Sequence, residues 1–399
     1  MRGLVAGAWR EFLAFSPGPA NDVRLFFAPG RVNIIGEHID YNGGRVFPAA
    51  LTLGNYLLVR PRADGLARFA STGFPGRPTA PVSGLRFDAA DGFANYPKGV
   101  LWALRERGVG FAGADFLFAG DLPDGAGLSS SASVQLATAV AVNALSGAGL
   151  APLDLVLACQ RAENEFVGVR SGIMDQYAVG MGRAGFAMLL DTATLVGEYV
   201  PLDLGERRLV VVNTNVRREL ADSRYNERRA ECEQALARLR AVRPDVRQLA
   251  QLSVAQWDKL QAVVDEPSLR RRARHVITEN ARVADAVEAL RAGRMEQFGS
   301  LLNASHDSLR RDYEVTGPQL DALVDAMQRA PGCLGARMTG AGFGGCAVAV
   351  VDSAAMADFT AQVQAAYERA VGHCATFYKS GVGGGARELD AREAAFADA

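Results

Sequence analysis

At 399 residues the chain is long enough for two domains or one large one, and 49% apolar with 22% charged residues is ordinary globular composition with mass for a sizeable core. A formal net charge of −1 argues against a nucleic-acid footprint. Cys159, Cys232, Cys333, Cys346 and Cys374 are odd in number, far apart and mostly set in apolar runs. That pattern excludes a disulfide framework and predicts buried thiols in a reducing compartment, and no CxxC pair or His/Cys cluster suggests zinc.

The N-terminus, Met1-Arg2-Gly3-Leu4-Val5, starts like a secretory leader, but its apolar run breaks at Trp9-Arg10-Glu11, too early for a leader core. No stretch reaches the ~18 apolar residues of a spanning helix, so a soluble cytoplasmic protein is expected. Strand-like runs follow at 24–28, 56–60, 116–119, 186–190, 209–212, 346–351 and 374–378, and helix-like stretches at 134–145, 153–166, 227–240 and 283–292. Strands and helices mix without strict alternation, which predicts an α+β fold rather than a doubly wound sheet. Pro201 and Gly205 punctuate the chain, and we place a domain boundary there, giving 1–204 and 205–399. The Gly- and Ala-rich tail after Gly381 is expected to fray.

The first stretch that carries chemistry is Pro29-Gly30-Arg31-Val32-Asn33-Ile34-Ile35-Gly36-Glu37-His38-Ile39-Asp40-Tyr41-Asn42-Gly43-Gly44. Arg31, Glu37, His38 and Asp40 stand among apolar neighbours, a costly placement unless they are paired or bind something polar. Two carboxylates and an imidazole suit sugar hydroxyls, which both donate and accept. A surface turn with scattered charges is the alternative. The second stretch is Asp121-Leu122-Pro123-Asp124-Gly125-Ala126-Gly127-Leu128-Ser129-Ser130-Ser131-Ala132-Ser133, between a strand and a helix of small residues. Glycines let backbone approach a ligand, and free N–H groups at a helix start bind an anion. This reads as a phosphate cradle, although it lacks the Gly-Lys-Ser/Thr ending of a P-loop and centres no serine in G-x-S-x-G.

In the third stretch, Leu155, Cys159, Ala162 and Phe166 form one apolar helix face that Glu163 borders. A carboxylate beside such a seam wants a cation, either Mg²⁺ or an arginine such as Arg161 or Arg170. Asp175 follows Gly172-Ile173-Met174 in an apolar setting, as a candidate functional acid or as a helix-start cap. The fourth stretch, Arg337-Met338-Thr339-Gly340-Ala341-Gly342-Phe343-Gly344-Gly345-Cys346, precedes a strand. It therefore differs from a dinucleotide loop, and it is either a tight turn or a loop against a nucleotide site. Arg270-Arg271-Arg272-Ala273-Arg274-His275 begins a helix and lacks interleaved aromatics, so it reads as a solvated or interdomain face. His275, His306 and His373 are isolated and read as structural.

Together and in this order, these motifs resemble those of the GHMP kinases, the superfamily of galactose, homoserine, mevalonate and phosphomevalonate kinases. The loop at 123–132 is similar to its phosphate loop, and 338–346 to its C-terminal glycine motif. The stretch 30–44 resembles the galactokinase signature almost letter for letter. Asn95-Tyr96-Pro97-Lys98-Gly99, Asp222-Ser223-Arg224-Tyr225, 272–280 and 303–321 also resemble segments of that family, so the likeness runs from about residue 22 to 380.

The resemblance implies a two-domain GHMP kinase fold with its site in the cleft, and ATP-dependent phosphorylation of galactose at the anomeric hydroxyl. It implies that Glu37, His38, Asp40, Tyr225 and the backbone at Gly172 hold the sugar. Asp175 would meet the anomeric hydroxyl, with Arg31 beside it. Gly125, Ala126, Gly127, Leu128, Ser129, Ser130 and Ser131 would wrap the ATP phosphates, Phe93 would stack on adenine, and Ser131 with Glu163 would bind Mg²⁺. The implied partners are small molecules, with no nucleic acid or membrane, and the implied state is a monomer. Two departures stand out: Phe93 replaces a tryptophan common in the family, and residues before Asp22 match no family segment. The rival readings are an N-acetylgalactosamine kinase and a catalytically silent galactose and ATP sensor.

Overall fold

The computed structural model describes residues 2–123, 126–216 and 221–390. Among these the strands in chain order are β1 (Arg24–Asn33), β2 (Arg45–Val46), β3 (Pro48–Pro61), β4 (Leu66–Ser71), β5 (Thr79–Pro81), β6 (Ala114–Gly120), β7 (Phe186–Asp191), β8 (Val196–Pro201), β9 (Arg207–Asn213), β10 (Cys333–Met338), β11 (Cys346–Asp352), β12 (Thr376–Tyr378) and β13 (Arg387–Leu389). The helices of the first half are α1 (Arg2–Phe15), α2 (Asn95–Glu106), α3 (Ser130–Ser146), α4 (Pro152–Arg161) and α5 (Met174–Met181). Those of the second are α6 (Ala221–Arg240), α7 (Val254–Leu260), α8 (Pro267–Arg291), α9 (Met295–Ser308), α10 (Pro318–Arg329) and α11 (Met356–Val371). The fold is α+β, as the unalternating pattern predicts.

The largest sheet has the order β13-β1-β3-β6-β4-β5, antiparallel except for the β4–β6 pair. Its central strands are apolar on both faces because both are covered. Phe26, Ala28, Leu57, Val59, Phe116 and Phe118 face the main core, where α3 packs on β1 and β3. The alternate residues Leu25, Phe27, Leu58 and Leu117 meet Val5, Ala8, Phe12 and Phe15 of α1. The N-terminal run that resembles an interrupted leader is thus an amphipathic helix. Its charged break at Arg10-Glu11 falls on the outward side, between buried turns.

The second half builds a four-stranded antiparallel sheet, β10-β11-β9-β12, with α9 and α10 against β10. A third sheet, β2-β7-β8, adjoins the sugar motif through β2. The basic run at 270–275 lies at the start of α8 and is only partly a solvated face. Arg272 is buried, bonded to Glu231, Glu314 and the Asp312 carbonyl. All five thiols are free; Cys159, Cys232 and Cys346 are buried, but Cys374 is exposed, contrary to the general expectation of burial.

The tail corrects its expectation as far as residue 390. Gly383 N–H donates to the Ala50 carbonyl at 2.8 Å, and Gly385 N–H to that of Gly182 at 2.8 Å. β13 then pairs with β1 through Leu25–Leu389, Phe26–Glu388 and Phe27–Arg387. The glycines permit the close approach that anchors the tail: a Cβ on Gly383 would stand 2.3 Å from the Leu51 carbonyl oxygen.

Candidate active site

Between the two halves lies a cavity of about 510 Å³. Of the residues singled out from sequence, Arg31, Glu37, His38, Asp40, Phe93, Gly127, Ser129, Ser130, Ser131, Glu163, Gly172, Asp175 and Tyr225 all line it. Ala126 and Leu128 do not; both are buried in the core under the loop, where the Leu128 carbonyl accepts the Arg31 N–H at 3.0 Å. Gly125 falls outside the described residues.

Asp175 opens α5 and is held on both oxygens. Arg31 Nε and Nη2 each reach Oδ1 at 2.8 Å, and the Ser129 hydroxyl donates to Oδ2 at 2.6 Å. Arg31 is buried, and its Nη1 donates to the Gly127 carbonyl at 2.6 Å, which binds the phosphate loop to the same cluster. Ser129 takes a left-handed backbone, φ 62°, to bring its hydroxyl under Asp175 just before α3 begins. The serine run signals a loop, but nothing in it marks Ser129 as the partner of a residue far along the chain.

Glu163 is the second residue of the wide π turn, Ala162–Val167, that follows α4. Its Oε2 accepts from the Ser171 hydroxyl at 2.7 Å and from Gln176 Nε2 at 2.6 Å, with Ser131 also bonded to the carboxylate. The arginine alternatives are removed: Arg161 pairs with Glu165 at 2.9 Å and Arg170 with Glu233 at 2.7 Å. Burial raises the Glu163 pKa, the Ser171 bond pulls it back, and the Asp175 charge adds to the rise.

On the opposite wall, Glu37 pairs with the fully buried Arg337 at 2.9 Å. Burial pushes the Glu37 carboxyl up against the pull of Arg337 and Arg31. His38 spends both ring nitrogens on protein groups, Nδ1 on Tyr41 at 2.9 Å and Nε2 on the Ala341 carbonyl at 3.1 Å. Asp40 is held at about pKa 6, from an ordinary 3.8, by burial and then by the charge of Asp175. Gly172 has to be glycine, because a Cβ there would lie 1.9 Å from Asp40 Oδ2. The Tyr225 ring leans on His38 and Tyr41, at 5.3 Å from each. His275 also serves this wall, bonding the Glu37 carbonyl at 3.0 Å from the α8 side.

At the far end the cavity is aromatic. Phe93 stacks on Phe74, with centroids 5.7 Å apart and planes 22° apart, and Tyr96 and Val134 complete the wall. The glycine loop between β10 and β11 also reaches the cavity through Gly340 and Ala341. A Cβ on Gly340 would sit 2.5 Å from the Gly127 carbonyl, so this loop packs directly against the glycine-serine loop before α3.

The family model for the galactokinase galactose-binding signature matches residues 14–61. The models for the GHMP kinases N terminal domain and the GHMP kinases C terminal match 95–183 and 286–369. The galactokinase of Exiguobacterium sibiricum is 51% identical over 92% of this chain and 94% of its own length. That of Halalkalibacterium halodurans is 48% identical over 94% of this chain and 95% of its own. The chain belongs to the galactokinase family. The crystal structure of Lactococcus lactis galactokinase complexed with galactose superposes at TM-score 0.93, with 42% identity, over 96% of this chain and 100% of that one. A mevalonate kinase structure, 16% identical at TM-score 0.64, shares the fold.

The galactokinase signature match runs from the last two residues of α1 to the end of β3 and takes in Arg31, Glu37, His38 and Asp40, but not Gly172 or Tyr225; it also reaches back before Asp22, where no family segment was expected. A divalent cation accompanies ATP in kinase chemistry, and the donors here fit one. Glu163 is a buried carboxylate with no cationic partner among the described ion pairs, and a serine hydroxyl lies beside it. Among the described residues no group of three or more His, Cys, Asp or Glu could hold a metal alone. One carboxylate and one hydroxyl suit Mg²⁺, which keeps phosphates and waters as its other ligands.

Proposed function

We propose that this galactokinase family member transfers the γ-phosphate of MgATP to the anomeric hydroxyl of α-D-galactose, giving galactose 1-phosphate and ADP. The observation that carries the reading is the Asp175 carboxylate, clamped by Arg31 and Ser129 and facing a wall of Glu37, Asp40 and Tyr225. Both Arg31 bonds fall on Oδ1, whereas Oδ2 accepts only Ser129. Oδ2 therefore keeps a lone pair and is the oxygen that takes the proton from the anomeric hydroxyl. The hydroxyl oxygen forms the new bond to phosphorus, and the bond to the β–γ bridging oxygen breaks with its electron pair leaving on ADP. Arg31 stands where it attracts the γ-phosphate, and the 125–131 loop lends its N–H groups to the growing charge on ADP. Mg²⁺ held by Ser131 and Glu163 would supply charge neutralisation on the phosphates.

Because both His38 nitrogens are engaged by protein, His38 offers the sugar its backbone and ring edge rather than a free ring nitrogen. A monomer in a reducing, cytoplasmic setting belongs to the same reading, the setting being supported by the free thiols. A domain division near 204/205 is part of the same reading, with β13 returning to the first sheet.

A coupled ADP-release assay over a sugar panel tests the assignment. Galactose should be turned over with D-glucose disfavoured by about 10⁴, as for a site built to bond a hydroxyl that the epimer misplaces. A higher kcat/KM for N-acetylgalactosamine would move the chain to that kinase, and no ADP release with any sugar would make it a sensor.

Two variants test the nucleotide end. Glu163→Gln should raise the Mg²⁺ concentration for half-maximal rate by roughly tenfold, the scale of one lost charged hydrogen-bonding group. Its melting temperature should stay near wild type, and a large melting loss with unchanged Mg²⁺ dependence would mark Glu163 as structural. Phe93→Ala should raise KM for ATP by roughly fivefold or more, since base–aromatic stacking is worth about 1–3 kcal/mol. KM for galactose should hardly move; equal changes in both would take Phe93 out of the base site.

A further inference from the structure

Behind the sugar wall runs a hydrogen-bond chain that the mechanism above does not use. Cys232 Sγ, on α6, lies 3.1 Å from the Tyr313 hydroxyl. That hydroxyl is 2.7 Å from the Tyr41 hydroxyl, which is 2.9 Å from His38 Nδ1. His38 Nε2 ends the chain 3.1 Å from the Ala341 carbonyl in the glycine loop. Tyr41 and Tyr313 do not line the cavity.

One end of the chain orients every proton in it. A carbonyl oxygen only accepts, so Nε2 carries the ring proton. Burial pushes His38 down to about pKa 3, so the ring is neutral and Nδ1 only accepts. Tyr41 O–H must then donate to Nδ1, Tyr313 O–H to the Tyr41 oxygen, and Cys232 S–H to the Tyr313 oxygen.

We propose that Tyr41 and Tyr313 are positioning residues whose ordered hydroxyls hold the His38 ring by its Nδ1, and that the Nε2–H thus aimed at the Ala341 carbonyl tethers the glycine loop over the phosphate loop. The tether has a mechanical path. Ala341 follows Gly340, which packs against the Gly127 carbonyl too closely for any side chain, and Gly127 carries the Arg31 contact beside Asp175. The Tyr41 hydroxyl, which does not line the cavity and reaches it through His38, thereby acts on the nucleotide side rather than on the adjoining sugar side.

Tyrosine-to-phenylalanine changes test this, because they keep the rings and delete only the hydroxyls. With four histidines in the chain, ¹⁵N-histidine labelling gives a readable ring spectrum. Wild type should show His38 as the neutral Nε2–H tautomer with Nδ1 hydrogen-bonded, and Tyr41→Phe should shift the Nδ1 resonance as that bond is lost while Nε2 keeps its proton. The same variant should raise KM for ATP about fivefold, what one net hydrogen bond is worth, with KM for galactose changed less than twofold. Tyr313→Phe should do the same more weakly, and Cys232→Ser, which keeps a donor, should match wild type in both readouts. An Nδ1–H tautomer in wild type, an unchanged Nδ1 resonance in Tyr41→Phe, or a shifted resonance with unchanged KM for ATP would each overturn the proposal. If Tyr41→Phe does not fold, the same measurements on Tyr313→Phe decide the proposal by the same outcomes. The kinetic half rests on the proposed galactose and ATP sites, whereas the ring spectrum needs no substrate and stands or fails without them.

Discussion

Asp175→Asn lowers kcat by about 10² to 10⁴, the usual span for loss of a general base, while galactose still binds. The amide has one way to sit. Arg31 presents two donors at Oδ1, so the amide oxygen takes that place and the NH₂ takes the place of Oδ2. Ser129 can turn its hydroxyl to accept, so packing survives, but the atom proposed to meet the anomeric hydroxyl is now a donor without basicity. The pair of measurements is single-turnover rate and equilibrium galactose affinity on folded variant. Turnover within a few-fold of wild type would leave Arg31 and the phosphate loop to account for the chemistry.

Asp40→Asn should weaken galactose binding at least tenfold, on the scale of a lost hydrogen bond to a charged group, and at the same time stabilise the free protein. Asp40 accepts a long bond from the Met174 N–H at 3.4 Å, and the Asn oxygen can keep it. Its pKa of about 6 in the fold, against 3.8 ordinarily, means that the native state binds the extra proton between those values. Wild-type stability therefore falls as pH rises through that window, by up to ~3 kcal/mol from this group. Asparagine removes the penalty, so the gain is complete at pH 7 and vanishes below about pH 4. Denaturant midpoints at pH 7 and at low pH, beside galactose titrations, check both halves. Equal midpoint shifts at the two pH values would show that the gain does not come from the carboxylate.

Residues that work through local backbone were legible. The loop before α3 could be singled out because glycines, serines and a helix start are contiguous, and Asp40 and Glu37 because charges stand in an apolar run; all of these reach the cavity. Residues whose role depends on a distant partner were not. Glu163 looked equally like an arginine partner until Arg161 and Arg170 were seen paired elsewhere. Ser129 could not be told from its neighbours, because its partner Asp175 lies 46 residues on. Phe74 gave no signal at all: it is an aromatic in a loop, 44% exposed, and only its stack on Phe93 gives it a place. The two ends of the chain misled for a related reason. Helix α1 and the glycine-rich tail are judged by what they pack against, and both pack on strands far away in sequence.

The pairing of β13 with β1 sets a timetable for biogenesis. The Arg24–Glu388 ion pair across it joins residues 364 apart, so β1 waits for a strand made that much later. At about 5–20 residues per second that wait is roughly 20 to 70 seconds. During it the hydrogen-bonding edge of β1 is open, and a bare edge is a template for another nascent chain. The nascent polypeptide is thus the form that exposes this edge, and the mature protein covers it with β13.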